Sequence, residues 1–140
     1  MTALLQGLAG VLFTMLMVYP PDTQAFLGMK VPEIAGPAWI NSEPKSLNDL
    51  RGKVVLVEFW TFGCYNCWNV EPQIKKWHQN YAGQGLVVLG VHSPEWAYEN
   101  HYWPAIYLID KRGIIRYIRI GEGGYTETEK TIKRLLTEPR

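Results

Sequence analysis

An α/β domain is what this sequence predicts: a central mixed sheet of four strands, or slightly more, flanked by helices. Three observations carry that expectation. Continuous apolar runs at 54–60 and 86–91 read as strands buried on both faces. Between them Val70, Ile74 and Trp77 recur at helical spacing. Two short strands with a Gly-containing turn follow, and a last helix with its own apolar stripe.

Taken in order, Ala3 to Tyr19 is almost wholly apolar, interrupted by Gln6 and Thr14, and Pro20-Pro21 ends it. Thr23-Gln24-Ala25 offers small residues where a signal peptidase cleaves. No Lys or Arg precedes the run, and it is slightly short of the ~20 residues of an ordinary spanning helix. Residues 1–25 therefore read as a signal peptide or an N-terminal membrane anchor acting through residues 3–19. An apolar helix packed on the domain is the plain alternative. The first two readings place the domain outside the cytoplasm. Residues 26–44 are rich in Pro and Gly and read as a linker or irregular lead-in. The domain proper is expected over 45–140.

Ser46 to Leu50 is expected to form one helical turn, with Ser46 as N-cap and Asp49 completing a capping box. Val54 to Trp60 is the first strand, and Cys67 to Tyr81 the first helix, closed by Gly83 and Gly85. Leu86 to Val91 is the second strand, and strand, helix, strand in that order make a right-handed βαβ unit. Ala105 to Ile109 and Ile114 to Ile120 form a hairpin about Asp110-Lys-Arg-Gly113, where Gly113 is free to take a positive φ. Thr126 is expected to start the last helix, with Glu129 completing a capping box and Ile132, Leu135 and Leu136 as its buried stripe.

The chain has 140 residues and a formal net charge of +1, with no Lys/Arg run. That argues against nucleic acid as a partner, because phosphate binding needs clustered positive charge. Two cysteines are present, Cys64 and Cys67. A secreted disulfide scaffold carries more, spread along the chain. So short a loop also gains little by closure, which weakens a purely structural disulfide.

Strand, Cys-x-x-Cys, helix, strand is the order a dithiol catalyst needs, because the thiolate is the attacking species. A Cys64 at the mouth of the first helix would meet free backbone N–H groups and the positive end of the helix dipole. Cysteines so placed have pKa values of roughly 3.5–7.5, against about 8.5 for a free thiol. Cys67, one turn further in, can resolve a mixed disulfide. A c-type haem site needs His after the second Cys, where Trp68 stands. A structural zinc site needs four ligands, and His78, His92 and His101 form no cluster with the pair. No cofactor beyond the redox disulfide is expected. A Cu(I) carrier using the same soft thiolates is the reading of another class.

The segment Val57-Glu-Phe-Trp-Thr-Phe-Gly-Cys-Tyr-Asn-Cys67 resembles the active-site segment of the thioredoxin superfamily. It is most similar to the TlpA/ResA/DipZ-like branch of bacterial extracytoplasmic proteins. Trp39-Ile-Asn-Ser42, Leu50 to Val57, Gly90 to Glu95, Tyr102-Trp-Pro-Ala105 and Gly121 to Tyr125 resemble it too, in the same order. The resemblance implies a thioredoxin-like fold and a thiol–disulfide oxidoreductase.

It also implies supporting residues. Glu58 matches a buried acid that accepts the proton of Cys67; the plain alternative is a solvated strand carboxylate. Burial would raise its pKa, which suits proton exchange near neutrality. Pro104 matches the cis-proline that faces the dithiol, where the preceding backbone pairs with a client chain. Glu95 matches an acid close to the cysteines, against a carboxylate at a helix start. Trp60 matches a tryptophan that shields the thiolate, and Pro72 a kinking proline. Trp68 departs from the pattern and reads as an apolar contact for a partner or as core. Trp103 could shape the same groove, and His92 reads as structural.

The pattern breaks between Glu95 and Trp103. The branch carries a helix, a strand and another helix there, and this chain has only Trp96 to Trp103. A parallel crossover needs roughly 10–12 residues, so the connection sits near its minimum. A truncated, inactive thioredoxin-like domain is therefore a further alternative. By resemblance the partners are protein thiols or disulfides outside the cytoplasm, apocytochrome c among them, and a membrane electron donor of the DsbD/CcdA type. A reductase is favoured over an oxidase.

Overall fold

The computed structural model describes residues 24–34, 38–93 and 102–140. The leader expected over 3–19 lies outside the described residues, and so does Glu95. No helix among the described residues is long and apolar enough to cross a membrane.

One mixed sheet is formed by β1 (Val54–Trp60), β2 (Leu86–His92), β3 (Ala105–Ile109) and β4 (Ile115–Ile120), in spatial order β2-β1-β3-β4. Helix α1 (Tyr65–Tyr81) connects β1 to β2, and α2 (Tyr125–Thr137) follows β4. β1 runs parallel to β2 and antiparallel to β3, and β3 and β4 form the expected hairpin. This is the mixed α/β sheet that the order of apolar runs predicts, in the thioredoxin-like arrangement that the resemblance implies. β1 and β3 have the expected bounds, because their β-branched runs end abruptly at turn residues.

Both helices pack on one face of the sheet. There Val54 and Leu56 of β1 meet Val70, Ile74 and Trp77 of α1 and Ile132 and Leu135 of α2. Alternation along the strands sends Val55, Val57 and Ile109 to the other face, where Leu47 is buried against them. Val31, Ile34 and Leu50 pack there as well.

Several expectations are corrected. β2 was expected to be buried on both faces; it is an edge strand, mostly half-buried, because only β1 pairs with it among the described residues. The connection to β3 is not a parallel crossover. His92 lies opposite Trp60 and Ala105 opposite Phe59, so β2 ends and β3 begins at the same end of the sheet. The chain has only to step across β1, about 10 Å at the usual strand spacing, and its length is no obstacle. Residues 28–31, expected in a linker, are tied to the sheet by Gly28 N–H on Ile115 O, at 2.8 Å, and Val31 N–H on Gly113 O, at 2.9 Å.

The two capping boxes fare differently. Ser46 and Asp49 form theirs: Asp49 N–H donates to Ser46 Oγ at 3.1 Å and Ser46 N–H to Asp49 Oδ2 at 3.0 Å. It caps a turn, not a helix. Thr126 caps nothing. α2 begins at Tyr125 behind Gly124, which takes φ 66° and provides no side-chain cap. Such left-handed backbone favours Gly. Glu129, freed from the expected box, accepts the Tyr81 hydroxyl and ties α2 to α1.

Far from the helix start, the β3–β4 turn is organised by buried Asp110. Its carboxylate accepts the N–H groups of Arg112 and Ile114, at 2.9 and 3.0 Å, and the guanidinium groups of Arg112 and Arg116, at 3.2 and 2.9 Å. Gly113 closes the turn at φ 76°. Arg116 also pairs with Glu138 beyond α2, at 2.9 Å.

Candidate active site

β1 ends at Trp60, and a short turn through Thr61, Phe62 and Gly63 leads into α1. Cys64 is the N-cap of α1, in extended backbone (φ −87°, ψ 104°). Its Sγ accepts the backbone N–H of Cys67 at 3.1 Å. A sulfur thus occupies the place usually taken by a Ser or Asp oxygen, where the first turn offers unpaired N–H groups. α1 therefore starts two residues earlier than the apolar spacing predicts. Cys64 and Cys67 are joined as a disulfide, with Cα atoms 5.3 Å apart. Cys64 is half-buried and Cys67 is 3% exposed. The outer sulfur is thus the reachable one, and the inner one stands one turn behind.

Glu58 lies on the helix-covered face of β1, next in line after Val54 and Leu56. Cys67 is next in line before Val70 and Ile74 on the inward side of α1. The two rows pack on each other, which puts Glu58 and Cys67 at the same end of one interface. Glu58 is 9% exposed, and among the described residues its carboxylate has no hydrogen-bond partner. Burial raises its pKa from 4.5 to about 7, and the negative charge of Glu71 adds to the rise. Glu71 itself pairs with Lys75 on the exposed side of α1, at 2.8 Å.

The peptide bond between Trp103 and Pro104 is cis, and Pro104 is fully buried at the head of β3. Backbone bonds continue on both sides of this end of the sheet. Ser93 N–H donates to Trp60 O at 2.9 Å, and Gly121 N–H to Pro104 O at 2.8 Å. Trp60 leans over β2, its ring edge-on to His92 with centroids 4.9 Å apart. Glycine at position 90 leaves room for it, since a Cβ there would stand 3.3 Å from the indole nitrogen.

Trp68 is exposed, which removes the core alternative for it, and Phe62 beside it is exposed too. Phe62 and Glu71 were not singled out from the sequence. Only their placement against Trp68 and Glu58 gives them meaning, and spacing alone carries no such signal. No group of three or more metal-ligating side chains occurs among the described residues.

The Cys-x-x-Cys disulfide thus stands at a helix start, at the C-terminal ends of the parallel strands β1 and β2. A family model, AhpC/TSA, matches residues 27–98. The chain belongs to the AhpC/TSA family. Among relatives of this AhpC/TSA-family chain is Protein DipZ of Mycobacterium bovis, 36% identical over 145 residues that span 78% of this chain. The chain spans about a fifth of the length of that relative, 21%. Thiol-disulfide oxidoreductase YkuV of Bacillus subtilis is 28% identical, with 80% of this chain and 97% of that protein covered. The crystal structure of a thioredoxin-like superfamily protein superposes with a TM-score of 0.71 at 25% identity, covering 80% of this chain and 99% of that one. The AhpC/TSA-family chain thus carries a thiol–disulfide oxidoreductase domain of the DipZ-like group, with Cys64 and Cys67 as its Cys-x-x-Cys pair.

Proposed function

We propose that the protein is an extracytoplasmic disulfide reductase, and that Cys64 attacks while Cys67 resolves. The observation that carries this reading is the position of Cys64 as the N-cap of α1, with Cys67 N–H aimed at its sulfur. A thiolate at that position is stabilised by the N–H and by the helix dipole. It attacks a client disulfide, one client sulfur leaves as a thiolate, and a mixed disulfide forms at Cys64. Cys67 then gives its proton to Glu58 and displaces the second client sulfur. The client leaves as a dithiol and the domain is left oxidised.

A Glu58 titrating at about 7 suits that proton transfer, since it is neither permanently charged nor permanently protonated near neutral pH. Pro104 and the backbone before it hold the client strand, Trp60 shields the sulfur, and Glu95 is, by resemblance, a second acid of the reaction. A membrane electron donor of the DsbD/CcdA type returns the domain to its dithiol form. Secreted thiol proteins, apocytochrome c among them, are the clients. The apolar stretch at 3–19 delivers the domain to the outer face of the membrane, as a signal or as an anchor.

Replacing Cys67 by Ala removes the resolving thiol. The variant is expected to accumulate mixed disulfides with client proteins, recovered from the extracytoplasmic fraction and released by dithiothreitol. A folded Cys67→Ala protein that captures none there contradicts the reading.

A further inference from the structure

Around the disulfide, α1 and the turn before it expose a set of rings that no core cluster contains. Phe62 is 75% exposed, Tyr65 73% and Trp68 56%. Trp77, on the same helix, is fully buried, so the difference is one of position and not of residue type. Trp68 stands one turn beyond Cys64, and its N–H reaches Cys64 O at 3.4 Å. Residues four apart on a helix share a side, which sets the indole beside the sulfur-bearing residue. Phe62 comes to the same place from the preceding turn. Its ring meets Trp68 edge-on, with centroids 6.4 Å apart and planes at 78°.

The pair is therefore formed before any client arrives, and little rotamer freedom remains to be lost on binding. The surface is also uncharged. No Asp, Glu, Lys or Arg occurs from Phe59 to Val70. Beyond it, Glu71 is paired with Lys75, at 2.8 Å, and Glu122 accepts a hydrogen bond from Asn69 at 3.1 Å. An acidic client flank would lose water against the rings without gaining a partner.

Resting on the exchange reading above, we infer that Phe62 and Trp68 are the specificity-determining contact for the client. They select a polypeptide whose reacting cysteine has an uncharged apolar neighbour. Continuity decides the occupant: a chain bonded to Cys64 in the mixed disulfide must pass over these rings. A second copy of this chain is the competing occupant, and sedimentation distinguishes it.

The test uses the full chain, reduced with dithiothreitol and desalted, in single turnover. Two synthetic peptides are compared, each with one cysteine in disulfide linkage to thionitrobenzoate. One carries Leu and Phe beside the cysteine, the other Asp on both sides. Each reduction releases the peptide thiol and thionitrobenzoate and leaves Cys64 and Cys67 oxidised. Glutathione disulfide, whose cysteine has a γ-glutamyl and a glycyl neighbour and no apolar side chain, is the reference. The apolar peptide is expected to react about tenfold faster than the acidic one, the size of effect that one well-placed aromatic contact supplies. In Trp68→Gln and in Phe62→Ser the ratio of apolar-peptide rate to glutathione-disulfide rate falls about tenfold, and Trp68→Phe restores most of it.

Equal rates for the two peptides in the unaltered protein overturn the inference. So does a Trp68→Gln variant that slows both substrates equally, or one that converts a dimer to monomers while the peptide preference persists. The same apolar peptide with Ser in place of Cys reports binding without exchange. It is expected to bind about tenfold more weakly to Trp68→Gln by calorimetry. Failure to reduce any disulfide, glutathione disulfide included, counts against the exchange reading, and this binding difference then decides the Phe62–Trp68 contact by itself.

Discussion

Glu58 and Asp110 sit at opposite ends of the sheet, both with little exposure to solvent, yet their surroundings differ in kind. Burial pushes Asp110 up, but the Ile114 N–H, the Arg116 guanidinium and both groups of Arg112 outweigh it and hold its carboxyl below 3.8. Burial pushes Glu58 up as well, and nothing answers it; the charge of Glu71 only adds to the rise. One end of the sheet thus spends a buried acid on holding the chain together. The other leaves a buried acid unpaired beside a dithiol, where a mobile proton is useful. Sites that react are often those where a stabilising partner has been withheld.

Removing Asp110 should give the largest effect. Asp110→Ala leaves two backbone N–H groups and the inner side of Arg116 without their acceptor, and should lower the unfolding free energy by roughly 3 kcal/mol in urea titration. The rate of exchange per folded molecule should be unchanged, because the turn lies far from Cys64. A loss of exchange in the folded variant would mean that the two ends are coupled.

The two acids should also leave opposite marks on stability against pH. For Asp110 the folded pKa is depressed, so its contribution is present above 3.8 and is lost as pH falls through the folded value. For Glu58 the folded pKa is raised. Its contribution is complete below 4.5, declines as the unfolded chain ionises, and is gone once pH passes about 7. Glu58→Gln should therefore match the parent protein in acid and exceed it at pH ~8 by about 2–3 kcal/mol. In the same variant the resolving step should slow, and the bend in its pH profile near neutrality should vanish. An unaltered bend would assign that proton to another group.

The sheet was legible because each strand is a compact run of β-branched and aromatic residues bounded by Gly, Asp or charged turns. Cys64 and Cys67 were legible because their spacing and the flanking strand and helix are local. What stayed hidden depends on residues distant in the chain. Glu129 suggested a cap, but its partner is Tyr81 on the other helix. Asp110 read as an ordinary turn residue, although Arg116 and Arg112 make it the anchor of that end. The step from β2 to β3 looks short only when the two strands are read as parallel, a direction set by pairing with β1 and not by local sequence. Phe62 carries no periodic signal, since it sits in a turn, and its role rests on Trp68 across from it.

If the start of α1 holds Cys64 as a stable thiolate, the titration of that thiol shows it. The reduced protein is alkylated with iodoacetamide across a pH series, and the Cys64 adduct is followed by mass spectrometry with Cys67→Ala as the single-thiol control. A midpoint of roughly 3.5–7.5 is expected for a sulfur held at a helix N-terminus. A midpoint at or above the free-thiol value of about 8.5 would contradict the account.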